Sequence, residues 1–288
     1  MKILKPFFYT SGVALVALAS LVGQGQAQVI EVFGDTVTDL STFTSVSGDG
    51  MDALVSVQGP PGSELLSFLD NTGGDSAEAY FDFVPGGGNI LNGFRLDFDV
   101  QFNNDDFTNL VSDPEVVVRF GNAGTNPTST ATTGFQLNFR HETDDTTNQI
   151  RATNNGASST ALGDFVDLPD DTQFNITVLA NNAATAQDYV VFGGGSGTVA
   201  ANTYDLFIDG LFIDNFSLGD LETFDPAVGF GSFGIRSSGN ADLGTEVLFD
   251  NITIGINADN GFIAVPEPGS AVLLLSGLFS LGLIRRRS

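Results

Sequence analysis

The sequence predicts an all-β fold in which two antiparallel sheets pack face to face as a sandwich. Three separate segments alternate apolar and polar residues with a period of two, as expected of strands with one buried face. Clusters of Gly, Asn, Asp and Pro between the apolar segments favour turns. A helical period is weak throughout residues 28–262, with a turn or two expected at SELLSFLD, residues 63–70. Because one-sided sheets must bury their apolar faces against each other, these patterns predict a sandwich of the jelly-roll kind.

The clearest predicted strand is FRLDFDVQF, residues 94–102, in which apolar residues alternate with charged and polar ones. The same alternation occurs in GFQLNFR (134–140) and QFNITVLA (173–180). Further strand candidates are AEAYFDFV (77–84), EVVVRF (115–120), DYVVF (188–192), SFGIRSS (232–238) and EVLFDNITIGI (246–256). Most of the 26 phenylalanines occupy the apolar positions, so we expect them to form the core.

The first 27 residues have the order of a secretory signal peptide. Lys2 and Lys5 precede an apolar run from about Gly12 to Val22, and the small residues of GQA (25–27) follow. This order predicts cleavage by signal peptidase after Ala27 and export of the remaining chain. We expect one ectodomain, residues 28–262, since all-β sandwiches commonly use this length for a single domain.

The chain is strongly acidic, with 35 Asp and Glu against 10 Lys and Arg and a formal net charge of −25. Such a surface repels nucleic acid and anionic lipid, and it attracts divalent cations. The chain has no cysteine, so the exported domain must be held together by its core, without disulfides. The basic residues of segment 28–262 are Arg95, Arg119, Arg140, Arg151 and Arg236.

Residues 263–288 combine a proline motif, an apolar run and a basic end. The apolar run 269–284 has 16 uncharged residues, which span about 24 Å as a helix and cross a ~30 Å hydrocarbon core with local thinning. The basic tail 285–288 predicts a cytoplasmic end and an acidic domain outside. The proline motif consists of Pro266, Glu267 and Pro268, and the basic residues are Arg285, Arg286 and Arg287.

This order of three parts resembles the PEP-CTERM sorting signal of exported Gram-negative proteins. The resemblance implies that a membrane-embedded exosortase recognises the tail and cleaves near the proline motif, after a transient span of the inner membrane. The mature protein is then expected at the cell surface or in the extracellular matrix, often in bacteria that make exopolysaccharide.

The segment YDLFIDGLFIDNFSL, residues 204–218, predicts a hairpin. Its apolar alternation runs up to Asp209-Gly210, a pair that suits a two-residue turn with positive φ. The form Y-x-L-x-x-D-G, followed by FGIRSSG (233–239) and VLFDNITIG (247–255), resembles the C-terminal half of concanavalin A-like, laminin-G-type sandwiches over about residues 90–256. The resemblance implies two antiparallel sheets, one of them concave, in a class of lectins, glycan-binding modules and some glycosidases.

The sequence offers little for catalysis. The sole histidine, His141, leads from a strand into a polar loop, and it lacks a second His or a Cys with which to hold zinc. Asp97-Phe98-Asp99 is a lone D-x-D, whereas sandwich glucanases of the resembled class present E-x-D-x-x-E on one strand. We therefore predict a protein that is not an enzyme and has no catalytic residues. A glycoside hydrolase or lyase is the third alternative.

Acidic loops provide candidate calcium ligands, because carboxylate oxygens suit a hard cation. None has the EF-hand spacing, and solvated acidic turns are the alternative. A cofactor is not required for the predicted function. The candidate calcium ligands are Asp105, Asp106, Asp144 and Asp145.

The polar residues of the alternating strands form a candidate glycan-binding face. Planar hydrogen-bonding side chains suit a sheet that contacts sugar hydroxyls, although Trp is absent and an ordinary solvated face is the alternative. The set is Arg95, Asp97, Asp99, Gln101, Gln136, Asn138, Arg140, Gln173 and Asn175. We predict a structural or adhesive surface protein, with a lectin-like module for exopolysaccharide as the alternative.

Overall fold

The computed structural model describes residues 28–48, 53–70, 76–82, 93–103, 115–122, 124–127, 133–141, 148–154, 160–161, 166–168, 173–190, 196–218, 229–238 and 245–256. Within these ranges the chain forms strands, numbered β1 to β18 in chain order, and one 3-10 turn at Leu40–Thr42. The same ranges contain no α-helix, and therefore no helix that could cross a membrane. The predicted signal peptide and the segment 263–288 lie outside the described residues.

Eight strands form an antiparallel sheet, called sheet I. Across it the order is β16-β15-β12-β6-β18-β4-β3, with β1 beside β18. One half of β18, residues 245–249, pairs with β4, whereas residues 252–256 pair with β1, and Asn251 with φ 51° interrupts the strand between them. The strands are β1 (Gln28–Phe33), β3 (Ala53–Gln58), β4 (Leu65–Asp70), β6 (Gly93–Asn103), β12 (Phe174–Asn181), β15 (Thr203–Ile208), β16 (Leu211–Ser217) and β18 (Thr245–Ile256).

Eight further strands form the second antiparallel sheet, called sheet II, in the order β10-β9-β8-β7-β17-β5-β2, and β11 also pairs with β9. They are β2 (Ser45–Ser47), β5 (Glu78–Asp82), β7 (Glu115–Asn122), β8 (Thr133–His141), β9 (Asn148–Asn154), β10 (Thr160–Ala161), β11 (Val166–Leu168) and β17 (Phe230–Ser238).

The core is an aromatic layer between the two sheets. Phe94 of β6 stacks on Phe120 of β7 with ring centroids 4.5 Å apart, and Phe230 of β17 meets Phe94 edge-on at 4.8 Å. Phe135 of β8 stacks on Tyr204 of β15 at 4.3 Å. All five rings are fully buried. Because each contact joins a strand of sheet I to a strand of sheet II, the predicted two-sheet sandwich is confirmed for the described residues.

A small hairpin of β13 (Gln187–Val190) and β14 (Ser196–Val199) covers part of the outer face of sheet I. Its Val199 and Tyr189 pack against Leu179 of β12 and Phe207 of β15, residues that point away from the main core. The Tyr189 ring lies on Gly197 of the paired strand, where an added Cβ would be 2.3 Å from the tyrosine Cζ. This end of sheet I therefore has a third layer.

The strands predicted from alternation at residues 94–102 and 134–140 are confirmed as parts of β6 and β8, and the one predicted at 173–180 is confirmed from Phe174 onward as part of β12. The expectation of a helical turn within residues 63–70 is wrong, because Leu65–Asp70 is strand β4. Leu66 and Phe68 of this strand enter the core, while Ser67 points outward and donates to Glu246. Apolar residues occupy both sides of β4, which obscures its period of two.

Candidate functional site

The nine residues predicted to form one polar face lie on opposite sides of the sandwich. In both sheets the residues between them, such as Phe98 and Phe139, enter the core, so the two groups point outward in different directions. The structure therefore does not bring the nine side chains together. The sheet I group is Arg95, Asp97, Asp99, Gln101, Gln173 and Asn175, and the sheet II group is Gln136, Asn138 and Arg140.

The sheet I group forms a network centred on two carboxylates. Arg95 donates from Nε and Nη2 to the two oxygens of Asp97, at 2.6 and 2.8 Å. Thr177 donates its hydroxyl to Asp97 at 2.6 Å. Three side-chain amides donate to Asp99: Gln173 at 3.1 Å, Asn175 at 2.9 Å and Asn251 at 2.7 Å. The D-x-D pair is thus held by partners within the fold.

The outer face of sheet II carries four of the five arginines found between residues 28 and 262. Strand register arranges this surface, called the arginine face, in three rows that run across the strands. By register the rows are Ser45, Tyr80, Gly234, Arg119, Gln136, Thr153 and Ala161; then Ser47, Glu78, Arg236, Val117, Asn138 and Arg151; then Ser238, Glu115, Arg140, Gln149 and Asp167.

Side-chain hydrogen bonds connect neighbours on the arginine face. Arg119 donates from Nε to Oε1 of Gln136 at 2.8 Å, and Gln136 donates from Nε2 to Oδ1 of Asn138 at 2.8 Å. In the third row, Arg140 donates from Nε to Oε1 of Gln149 at 3.0 Å, and Gln149 donates to Asp167 at 2.9 Å. Both series of hydrogen bonds hold planar polar groups in defined orientations.

The central side chains of the arginine face are nearly inaccessible although they point away from the core. Arg119 is 6% exposed, Gln136 3% and Asn138 4%. Arg140 and Arg151 are half-buried and lie beside these residues. Buried polar groups that hold one another have little freedom to move, so these side chains are fixed in their orientations.

The acidic positions of the arginine face lie toward the edges of its rows. Glu78 lies between Ser47 and Arg236 in the second row, and its carboxylate is 3.2 Å from Nε of Arg236. Register places Glu115 between Ser238 and Arg140 in the third row, and the exposed Asp167 lies at the other edge. Arginine, amide and valine side chains lie between these acids.

One aromatic side chain completes the first row. The buried Gly234 lies between Arg119 and Tyr80 in this row. Two strand spacings place Arg119 and Tyr80 about 9–10 Å apart. The Tyr80 side chain is half-buried, and an aromatic ring is a group that can pack against a sugar ring.

The sequence-based prediction of the glycan face omitted Arg119, Arg151 and Arg236. Each of these arginines has a buried apolar residue directly before it or on both sides of it, which places it on the outward side of its strand. The alternation of EVVVRF and SFGIRSS already indicated that Arg119 and Arg236 point outward. Residues 148–154, which contain Arg151, were not predicted as a strand. The signal for most of the site was thus present as arginines within predicted strands.

Several predicted sites fall outside the part of the chain that the structure describes. They are the candidate calcium ligands Asp105, Asp106, Asp144 and Asp145, and the sorting residues Pro266, Glu267, Pro268, Arg285, Arg286 and Arg287. Among the described residues, His, Cys, Asp and Glu form no group of three or more that could hold a metal ion.

No family model and no curated protein matches the sequence. Among solved structures, the chain is similar to the alginate lyase Aly36B bound to an alginate trisaccharide, at 11% identity and a TM-score of 0.46, over 82% of this chain and 99% of that one. A carbohydrate esterase from the Shiga toxin-encoding bacteriophage phi24B is 13% identical with a TM-score of 0.48, over 80% of this chain and 100% of the esterase. The CBM2 module of the evolved Dit from Lactobacillus casei BL23 phage J-1 is 12% identical with a TM-score of 0.47, over 81% and 99%.

Proposed function

We propose that the protein is an exported, non-catalytic carbohydrate-binding module of the cell surface or extracellular matrix. Its binding surface is the arginine face, rather than the carboxylate-rich outer face of sheet I. The structural or adhesive role expected from the sequence then has a chemical basis, because binding to polysaccharide attaches the domain to the matrix. The resemblance to concanavalin A-like sandwiches is consistent with this proposal.

The observation that carries the proposal is the hydrogen-bonded chain Arg119, Gln136 and Asn138 on an outward-facing surface. Two bonds of 2.8 Å join these side chains, which are nearly buried and yet do not belong to the core. Sugars present many hydroxyls that both donate and accept, and rigid amide and guanidinium groups match them without a large entropic cost.

The carboxylates favour binding over hydrolysis. Glycosidases place two carboxyl groups across the scissile bond. On the arginine face, Glu78 contacts Arg236 and Asp167 accepts from Gln149, in different rows. Asp97 and Asp99 lie on the other side of the sandwich and are held there by internal hydrogen bonds. We therefore propose binding without turnover.

A double replacement on the arginine face tests the site. The full-length chain and the variant Gln136→Ala/Asn138→Ala are applied to a glycan array, and the best glycan is then titrated calorimetrically. We expect binding at least about tenfold weaker in the variant, because each lost hydrogen bond contributes about 0.5–1.5 kcal/mol.

The matched control removes one glutamine and one asparagine amide from sheet I, as Gln173→Ala/Asn175→Ala. Binding should be unchanged in this control, and melting curves verify that both variants fold. Loss of binding in the control alone would move the site to sheet I. An array without any bound glycan would contradict carbohydrate binding, and release of soluble sugar products would contradict a non-catalytic role.

Export and sorting form the second part of the proposal, and the ends of the sequence support it. The signal-peptide order of residues 1–27 implies signal peptidase as a processing partner. The resemblance of residues 263–288 to a PEP-CTERM tail implies exosortase as the second one. Exopolysaccharide outside the cell is then the expected partner of the arginine face.

A further inference from the structure

We infer that the β13–β14 hairpin is a flap that opens over the outer face of sheet I while the sandwich stays folded, and that ionisation of Asp205 beneath it favours the open form. The inference concerns the side of the molecule opposite the arginine face and does not depend on carbohydrate binding. Within the described residues, β13 and β14 pair only with each other, so the hairpin extends neither sheet.

The apolar contact between the hairpin and sheet I is a small cluster that is separate from the main core. It consists of Leu179 of β12, Phe207 of β15, and Val199 and Tyr189 of the hairpin. Opening of the hairpin would disrupt this cluster and leave the aromatic layer between the sheets intact. A local opening that breaks few apolar contacts costs less free energy than global unfolding.

The two ends of the hairpin are held by one asparagine, which suits a hinge. Asn181 is fully buried at the end of β12, and its Nδ2 donates to the carbonyl of Thr185, just before β13, at 2.9 Å. The same amide group donates to the carbonyls of Val199 and Ala200, where β14 ends, at 3.1 and 3.0 Å. These bonds lie at the base of the hairpin, so they can persist while the strands beyond them move away from the sheet.

The contact also encloses an amide without hydrogen bonds. Gln187 of β13 is 8% exposed, and neither its Nε2 nor its Oε1 has a partner in the described part of the chain. It lies on the same side of β13 as Tyr189, whose ring contacts Phe207 of sheet I. A buried amide without partners costs free energy, and water would satisfy it once the hairpin opens. Gln187 therefore weakens the closed form.

Asp205 of β15 is a carboxylate that the closed hairpin helps to enclose. It is 3% exposed, and both Asn215 of β16 and the Tyr189 hydroxyl donate to it. Burial raises the pKa of Asp205 above its ordinary value, the two hydrogen bonds oppose this increase, and the negative charge of Asp214 adds to it. Since Tyr189 belongs to the hairpin, opening returns this carboxylate to water.

The described groups that face Asp205 from β12, β16 and the hairpin carry no positive charge. They are Leu179, Asn215, Asp214 and Tyr189. Arg95 lies beyond Leu179 in the same row and donates to both oxygens of Asp97. The exposed Asp188 alternates with Tyr189 along β13 and therefore points away from sheet I.

The direction of the pH dependence follows from burial of the carboxyl group. Because the pKa of Asp205 is higher in the closed form than in the open form, closure is favoured most below the ordinary pKa of aspartate, about 3.9. This preference is lost as the pH rises through the closed-form value. Tyr189 stays protonated throughout this range, since burial raises the pKa of its phenol above the ordinary value of 10.0.

Hydrogen exchange of the full-length chain tests the flap. Peptides covering β12, β13, β14 and β15 are compared by mass spectrometry between pH 4 and pH 7, after correction for intrinsic exchange rates. We expect β13 and β14 to exchange through openings that leave β12 and β15 protected. The protection of the hairpin should fall at least about threefold from pH 4 to pH 7, independently of β12.

Replacements beneath and on the hairpin locate the cause. Asp205→Asn keeps the size of the side chain and should retain at pH 7 the protection that the parent has at pH 4. Asp188→Asn is the matched control, because it removes the same charge from the outward side of the hairpin, and its protection should still fall with pH. Gln187→Leu should raise the protection of the hairpin at least about threefold at every pH, since no buried amide is then left without partners.

Each outcome decides one part of the inference. Equal opening of the hairpin, β12 and β15 would show that the hairpin opens only with the sandwich, and would overturn the flap. A fall with pH that persists in Asp205→Asn, or that Asp188→Asn also removes, would overturn the role of Asp205. Should Asp205→Asn not fold, Tyr189→Phe decides, because it removes a hydrogen bond to the ionised carboxyl in the closed form alone. The fall with pH should then become larger, and an unchanged fall would contradict the role of Asp205.

Discussion

Asp250 of β18 is a carboxylate held in an unfavourable environment. Burial raises the pKa of Asp250 above its ordinary value, and the negative charges of Asp99, Asp35 and Glu31 raise it further. The backbone N–H of Asn251 donates to its Oδ1 at 2.8 Å and acts in the opposite direction. Because the folded pKa lies above the unfolded one, Asp250 adds stability below the unfolded pKa and loses it as the pH rises through the folded value.

We predict that Asp250→Asn raises the melting temperature at pH 7. The asparagine removes the unfavourable charge and keeps an oxygen to accept from Asn251. The gain should shrink as the pH falls below about 4, where Asp250 is protonated in both the folded and the unfolded chain. Thermal melts of both proteins between pH 3 and pH 7 measure this difference.

The exposed Asp188 of β13 provides the control for that experiment. Asp188→Asn removes the same charge from an acidic chain at a position where burial is absent. If it raises the melting temperature as much as Asp250→Asn, the effect comes from net charge and the local explanation is wrong.

Among the elements, the hairpin of β15 and β16 shows a turn that the sequence predicts correctly. Asp209 and Gly210 have φ values of 50° and 75°, so the expected two-residue turn with positive φ is confirmed. The turn is also tied to β12, since Asp209 N–H donates to the Asn175 carbonyl and Asn175 N–H donates to Asp209 Oδ1, both at 2.8 Å.

We predict that Gly210→Val destabilises the protein by about 1–2 kcal/mol, because a β-branched residue is strained at positive φ. An added Cβ at Gly210 meets no atom within 4 Å, so the cost comes from the backbone and not from a clash. Chemical denaturation measures it. Gly210→Asn is the control and should cost less, since asparagine tolerates this conformation. Equal stability of Gly210→Val and the parent would mean that the turn has changed its type.

Strands with polar residues on the outward side were predictable, and strands with apolar residues on both sides were not. β6 and β8 carry polar residues at the alternate positions between their core residues, and β12 does so except at Leu179, which the β13–β14 hairpin covers. In β4, Leu65 and Leu69 are half-buried on the outer side, so Ser67 alone interrupts the apolar run. Short strands such as Val166–Leu168 depend on pairing with β9 and leave no periodic signal.

At the scale of the whole molecule, alternation identified outward residues but not the sheet to which each belongs. Sheet membership is decided by long-range pairing, which joins β6 to β12 and β18 but joins β8 to β7 and β9. For that reason Asn138 and Asn175, both outward in similar segments, lie on opposite sides of the sandwich. The arginine face joins the consecutive strands β7, β8 and β9 to β17 from a distant part of the chain, and no local pattern encodes the pairing of β7 with β17.

The C-terminal segment, residues 263–288, gives a prediction for the full-length chain. If it is a sorting signal, protein recovered outside the native host should lack residues 269–288, as mass spectrometry of its C-terminus will show. Replacing Pro266, Glu267 and Pro268 by alanine should leave the full-length chain in the inner membrane. A plain anchor predicts no difference for this variant, because the apolar run and the arginines that set its topology are untouched.

Alanine replacement of Asn260, Gly261 and Phe262 is the control, since it changes three residues just before the proline motif and should leave processing intact. Intact Arg285, Arg286 and Arg287 on the extracellular protein would end the sorting hypothesis.

The position of β18 in sheet I delays completion of this sheet until late in synthesis. It is the last described strand to be synthesised, yet it lies between β6 on one side and β4 and β1 on the other. In a chain that emerges N-terminus first, β1, β4 and β6 therefore lack their shared partner strand until residues 245–256 have emerged. Such late, long-range closure is slow and leaves strand edges open meanwhile. Under the proposed export, the same delay would keep the chain unfolded while it passes through a narrow channel.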